Sequence, residues 1–167
     1  MSFTAITPDM NTTRGLWQSL ADEVFTSSIN QVLQLIDSDF QATIAAWKQG
    51  PVFTIDAAQI DGNDYVGSVW TDNEIYGYVN NGTSPHDIRP VKAKKLHFLS
   101  GYAPKTYRRV LGSQQGGPYG ADVFASAVHH PGSEARQFDQ VIVEKRQSDF
   151  EAIINAALSQ AASKAGG

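Results

Sequence analysis

One change of hydrophobic period constrains this chain most. From Ile29 onward the apolar residues Val32, Leu33, Ile36, Phe40, Ile44 and Trp47 recur every three or four positions, which places them on one face of a helix. Ser28, with Gln31 three positions later, forms a capping-box pattern at its start, and Gly50-Pro51 stops it. The pattern then turns to short β-type runs, VFTIDA, YVGSVWT and EIYGYVN, separated by QIDGND and DN. A chain that changes period this sharply is expected to segregate helix from sheet.

The flanking segments extend that scheme. Leu16, Trp17, Leu20, Val24 and Phe25 predict a shorter helix over residues 13–25, with Asn11, Thr12 or Thr13 as its N-cap. Asp37-Ser38-Asp39 are poor helix-interior residues and mark a site for a kink. Asp61-Gly62-Asn63-Asp64 supplies turn chemistry between two strands. KLHFL (95–99) and DVFASAV (122–128) are further strand candidates, and residues 100–120 between them form a long Gly-, Pro- and Tyr-rich connection of the kind that is usually functional or mobile. Residues 136–146 fit a strand or a helical turn equally. Phe150, Ile153, Ile154, Ala157 and Leu158 line a C-terminal helix, and SKAGG ends it. The expectation is an α+β fold: an antiparallel sheet packed with N-terminal helices and a C-terminal helix, with a long loop between late strands. Its 167 residues suit a single domain, helical over 1–50, mainly β over 51–146 and helical over 147–163.

Composition narrows the function classes. Cysteine is absent, which removes disulfides, thiolate metal sites and a cysteine nucleophile. No run approaches the roughly 20 apolar residues of a membrane span, and the N-terminal residues lack a signal-peptide pattern, so the expectation is a soluble, unexported protein. Charge is segmented. Residues 1–88 carry 11 acids and two bases, whereas residues 89–109 carry seven bases and no acid. Such a strip reads either as a solvated polar surface or as a contact for phosphate or an acidic protein face.

Candidate chemistry is sparse. Four histidines are present, His86, His97, His129 and His130. Adjacent histidines on an extended segment point to opposite faces, so His129 and His130 are poorly placed to share one ion, and no His-Glu-x-x-His pattern occurs. No Gly-x-Ser-x-Gly elbow is present. Asp61 and Asp64 flank a turn, where aspartate serves local backbone hydrogen bonds rather than a glycosidase pair. GSQQGGPYG lacks the lysine and following helix of a phosphate-binding loop. No catalytic, cofactor or metal residue is therefore assigned, and a hydrolase using His and Asp side chains is the weakest of the readings. The basic strip Arg89, Lys92, Lys94, Lys95, Lys105, Arg108 and Arg109, interleaved with His97, Phe98, Tyr102 and Tyr107, has the mixture that neutralises phosphate and stacks bases, without any recognised nucleic-acid motif.

Two short motifs carry a resemblance. YGYVNNGTSPHDIRP (76–90) followed by KKLHF, then VFASAVHHPG and a C-terminal helix, resembles the tail-completion or neck proteins of long-tailed bacteriophages, the head-to-tail joining or minor tail proteins. In that family a strand ends in a Gly-Thr-x-Pro-His turn, an Ile-x-Pro segment follows, and a later strand runs into a His-Pro-Gly turn. The matching positions are Gly82, Thr83, Pro85 and His86 with Ile88 and Pro90, then Val128 with His130, Pro131 and Gly132, across residues 74–160. The family's Pro-Phe after the second turn is Gln137-Phe138 here. The resemblance implies a structural virion protein without catalysis or cofactor. It would form a ring of six copies between the head connector or adaptor and the tail tube or tail terminator, assembled in the host cytoplasm, with non-specific contact to packaged DNA along the basic strip and none to membrane.

Overall fold

A computed structural model describes residues 2–6 and 16–165. The elements in chain order are β1 (Ser2–Ile6), α1 (Leu16–Ile44), β2 (Thr54–Asp61), β3 (Asp64–Trp70), α2 (Glu74–Asn81), β4 (His86–Ile88), β5 (Leu96–Ala103), β6 (Gly117–Ala125), β7 (Val128–His130) and α3 (Phe138–Ala165). Every strand pair is antiparallel, so the chain is an α+β protein with long helices in its N- and C-terminal parts. The described residues form two compact units. One contains those up to Phe40, Val52–Thr71 and those from Ile142; the other contains Gln41–Pro51 and Asp72–Val141. None of the described helices is long and apolar enough to cross a membrane.

In the first unit, β1, β3 and β2 form a sheet in that order. Gly62 turns β2 into β3 at φ 63, as Asp61-Gly62-Asn63-Asp64 predicts. Alternation along β3 buries Tyr65, Gly67 and Val69. The stripe of α1 covers that face: Ile29, Val32, Leu33 and Ile36 are no more than 1% exposed. Approach is so close at Gly67 that a Cβ would lie 2.6 Å from Leu33 Cδ1. Phe25 meets Tyr65 at 5.4 Å between ring centroids, and Phe40 stacks on Phe53 at 4.9 Å. The Tyr65 hydroxyl donates to the Asp22 carboxylate; burial, then that carboxylate, pushes its ionisation far above the ordinary range.

Several expectations for residues 1–50 are corrected. Residues 2–6 are a strand, and α1 is one helix instead of two. The Ser28 cap is unused because Ser28 lies buried inside α1, while Thr26 Oγ1 donates to the Asp22 carbonyl at 2.7 Å, so these hydroxyls are accommodated without a break. Asp37-Ser38-Asp39 does not break the helix either. Asp39 accepts from Lys145 Nζ (2.7 Å) and from Arg146 Nε (2.7 Å) and Nη2 (3.0 Å) of α3. Burial alone would raise the Asp39 carboxyl, but hydrogen bonds from Arg146 and Lys145, with their charges, hold it below its ordinary value. Asn11, Thr12 and Thr13, the candidate caps, lie outside the described residues.

In the second unit the largest correction is at EIYGYVN, which is helix α2 and not a strand. Asn73, expected in a turn, is its N-cap: Asn73 Oδ1 accepts from the Tyr76 N–H at 2.9 Å, and Glu74 follows in the first turn. Apolar Tyr76 and polar Asn80, four positions apart, face inward together. Tyr76 packs near Trp47 and Phe138, at 6.2 and 6.0 Å, and its hydroxyl meets Thr43 Oγ1 at 3.2 Å. Residues 100–120 are not one loop either. β5 and β6 extend into them and leave only residues 104–116 as the connection. DVFASAV is divided, its first part closing β6 and its Val128 opening β7. Residues 136–146, open between strand and helix, begin α3, so the C-terminal helix starts at Phe138 rather than at 147.

Candidate functional site

The two motifs that the sequence marks lie 50 residues apart, and the fold joins them. β4 and β7 pair with His86 opposite His130, Asp87 opposite His129 and Ile88 opposite Val128. Pro85 precedes β4 and Pro131 follows β7, so both prolines close the same end of this short ribbon, where their missing N–H groups take no ladder bond away. Beyond them Thr83 bridges to Ser133: each N–H donates to the other's carbonyl, at 3.0 and 3.1 Å, and the hydroxyls meet at 3.0 Å.

The glycines interlock. Gly82 has φ 75, and a Cβ there would lie 2.6 Å from the Ser133 carbonyl oxygen; Gly132 has φ 86, and a Cβ there would lie 2.2 Å from the Thr83 carbonyl oxygen. Each glycine thus admits the backbone of the other motif. The joint continues into both helices: the Arg136 and Gln137 N–H groups donate to the Val79 and Asn80 carbonyls, and Asn80 Oδ1 accepts from the Asp139 N–H. Gln137, at φ 58, makes the turn into α3. Pro90 lies half-buried just past β4.

The histidines have defined local duties. His86 and His130 stack with ring centroids 5.1 Å apart. His86 Nδ1–H donates to the Ser84 carbonyl at 2.8 Å, since a carbonyl can only accept. His130 Nδ1 accepts the Gly132 N–H at 3.0 Å, which puts its neutral-form proton on Nε2. His129, on the opposite face, pairs through Nδ1 with Asp87 at 2.9 Å. The fourth histidine, His97, is elsewhere on β5, paired with Asp122 and stacked on Phe124 at 4.7 Å. Among the described residues no group of three His, Cys, Asp or Glu side chains is placed to hold a metal ion.

The basic strip separates into two populations. Arg89, Lys92, Lys94 and Lys95 are exposed on the connection between β4 and β5 and form no ion pair among the described residues. Lys105 instead donates to the Ala46 carbonyl at 3.0 Å, and Arg108 pairs with Glu134 at 3.2 Å. The Arg109 N–H donates to the Arg136 carbonyl, with Arg109 at φ 55. These three build the long connection and its attachment to residues 134–136.

Next to this joint is an open cleft of about 420 Å³ with apolar walls from Trp47, Ile75, Val79, Tyr102, Pro104 and Pro118. Its charged rim is Lys48, Lys105, Glu134 and Arg136, where Arg136 meets Glu134 at 3.8 Å. Sequence reasoning missed Asn80 and Arg136 in these roles, because their partners are fixed only by the pairing of distant segments. No family model, no curated protein and no solved structure matches the chain.

Proposed function

We propose that the chain is a structural protein of a tailed-phage particle, a ring-forming tail-completion or neck component that joins the tail to the head connector. It is assembled in the host cytoplasm and resident in the virion. It works through complementary surfaces and not through turnover, and requires no cofactor or metal. One observation carries this reading: the two motifs behind the resemblance, GTSPH and HHPG, are interlocked by Gly82 and Gly132 into a rigid joint whose imidazoles are engaged in local bonds. That use of glycine, proline and histidine suits a part that presents fixed surfaces. Ring closure needs heterologous contacts, one patch meeting a different patch on the next copy. Antibody labelling of intact particles tests the assignment. Label at the head-to-tail junction is the expected result, and particles lacking the chain refute it.

A second reading has its own support. Arg89, Lys92, Lys94 and Lys95 form an exposed cationic segment without internal counter-charges among the described residues, which suits contact with a nucleic-acid backbone. In the ring reading this segment faces the packaged DNA or an acidic surface of a neighbour. As a free nucleic-acid-binding module, the isolated chain would bind DNA with a steep salt dependence and without self-association.

A further inference from the structure

β5 and β6 form a two-stranded antiparallel ribbon, and among the described residues neither strand bonds to a third. The register sorts its side chains onto two faces. Leu96, Phe98, Tyr102, Pro118 and Val123 share one; His97, Leu99, Tyr119, Asp122 and Phe124 share the other. Leu96, Leu99 and Val123 are half-buried, but aromatic side chains stand open on both faces: Phe98 is 38%, Tyr102 62%, Tyr119 60% and Phe124 63% exposed. A two-stranded ribbon is marginal in water alone, and an uncharged apolar strand with a free edge is a template for another strand.

We infer that this ribbon is the surface by which one copy of the chain grips the next, the free edge of β5 in one copy pairing with the free edge of β6 in its neighbour. The inference rests on the ring reading and names the contact that closes it. A ribbon has two unlike edges, so β5-to-β6 pairing is heterologous and leaves no edge exposed once the array closes, whereas β6-to-β6 pairing would stop at a dimer with both β5 edges bare. The aromatic side chains support a second ribbon as the occupant: a strand added at an edge gives cross-strand neighbours to both faces at once, to Phe98 and Tyr102 on one and to Tyr119 and Phe124 on the other. Charge supports it too. The strands contain no lysine or arginine and a single acid, Asp122, which is hydrogen-bonded to His97, so a like ribbon meets only one like charge per copy. A nucleic-acid platform would place its cations among the aromatics. Here Arg89, Lys92, Lys94 and Lys95 precede β5, and Lys105 is bonded to Ala46.

The test uses the full chain. Light scattering across a concentration series gives the mass of the native protein and of the Phe98→Glu/Phe124→Glu variant. The native chain is expected to form a closed oligomer and the variant to remain monomeric, with unchanged circular dichroism. As a second measurement, benzoylphenylalanine replaces Phe124, and labelled and unlabelled copies are mixed before irradiation. Inter-copy cross-links are expected in residues 96–105 of the other copy. An oligomer that survives the double substitution, or that cross-links elsewhere, overturns this contact while leaving the ring reading intact. A chain that stays monomeric at every concentration, or whose ribbon captures an oligothymidine instead of a second copy, also overturns it. The ring reading is then judged separately by the particle labelling.

Discussion

Gly132 lies against the Thr83 carbonyl so closely that a Cβ would be 2.2 Å from the oxygen. No flexible side chain can move aside there, because the neighbour is backbone. The position also has φ 86, which penalises any L side chain by about 1–2 kcal/mol. Gly132→Ala is therefore expected to destabilise the chain by about 3 kcal/mol, strain and clash together. Gly62→Ala is the control. It shares a positive φ of 63 but has no neighbour within 4 Å, so its expected cost is about 1 kcal/mol. Chemical denaturation of both variants measures the difference; equal losses would show that the two motifs are not interlocked.

Asp39 supplies a prediction with a pH sign. Its carboxyl is held below the ordinary value by Arg146 and Lys145, against the opposing effect of burial. A depressed folded pKa means that the folded state binds fewer protons, so the contribution is complete above the ordinary carboxylate value of 3.8 and is lost as pH falls through and below it. Asp39→Asn is expected to cost about 1–2 kcal/mol at neutral pH, since Arg146 Nε and Nη2 lose their charged acceptor while Nη1 keeps Asp149 at 2.7 Å, and Lys145 is half-exposed. The gap between variant and native chain should narrow below pH 4. Urea midpoints at pH 7 and pH 3 check this, and a constant gap contradicts it.

The division of the basic strip predicts that its lysines separate by assay. Lys92→Glu/Lys94→Glu/Lys95→Glu changes only exposed side chains, so stability should stay within about 0.5 kcal/mol; under the proposed virion role, particle assembly or DNA retention should fall. Lys105→Ala removes the donor to the Ala46 carbonyl and should cost about 1 kcal/mol of stability. Thermal melts and plaque counts, taken together, distinguish the two populations. Unchanged infectivity of the triple variant would remove the cationic segment from the proposed ring contacts.

What could be read in advance followed from local chemistry. The α1 stripe from Ile29 to Ile44, the Asp61–Asp64 turn and the strand ending in His130 depend on period and turn residues that sit next to one another in the chain. The Gly82 and Gly132 turns were visible for the same reason. Their contact was not, because it is made by pairing across 50 residues. The misread segments share a cause. Tyr, Val and Ile in EIYGYVN have strand propensity, yet the Asn73 cap and the buried pair Tyr76 and Asn80 win by satisfying backbone and core together. Asp39 looked like a helix breaker because its partners Lys145 and Arg146 are over 100 residues away.

Gly77 gives the most direct check on α2. It lies mid-helix, and an added Cβ would meet nothing within 4 Å. Glycine in a helix interior costs about 0.5–1 kcal/mol relative to alanine, because it surrenders more backbone freedom on folding. Gly77→Ala should therefore stabilise the chain by that amount, the opposite sign to the same change at Gly132. Gly77→Val should gain less, since a β-branched residue loses χ1 freedom against the preceding turn. If residues 74–81 were instead the strand their composition suggests, valine would be the better substitution and alanine the poorer. Asn73→Ala supplies an independent arm: losing the cap on the Tyr76 N–H should cost about 1 kcal/mol. Denaturation curves for the three variants decide between helix and strand by the order of their midpoints, with Gly77→Ala highest, Gly77→Val next and Asn73→Ala lowest.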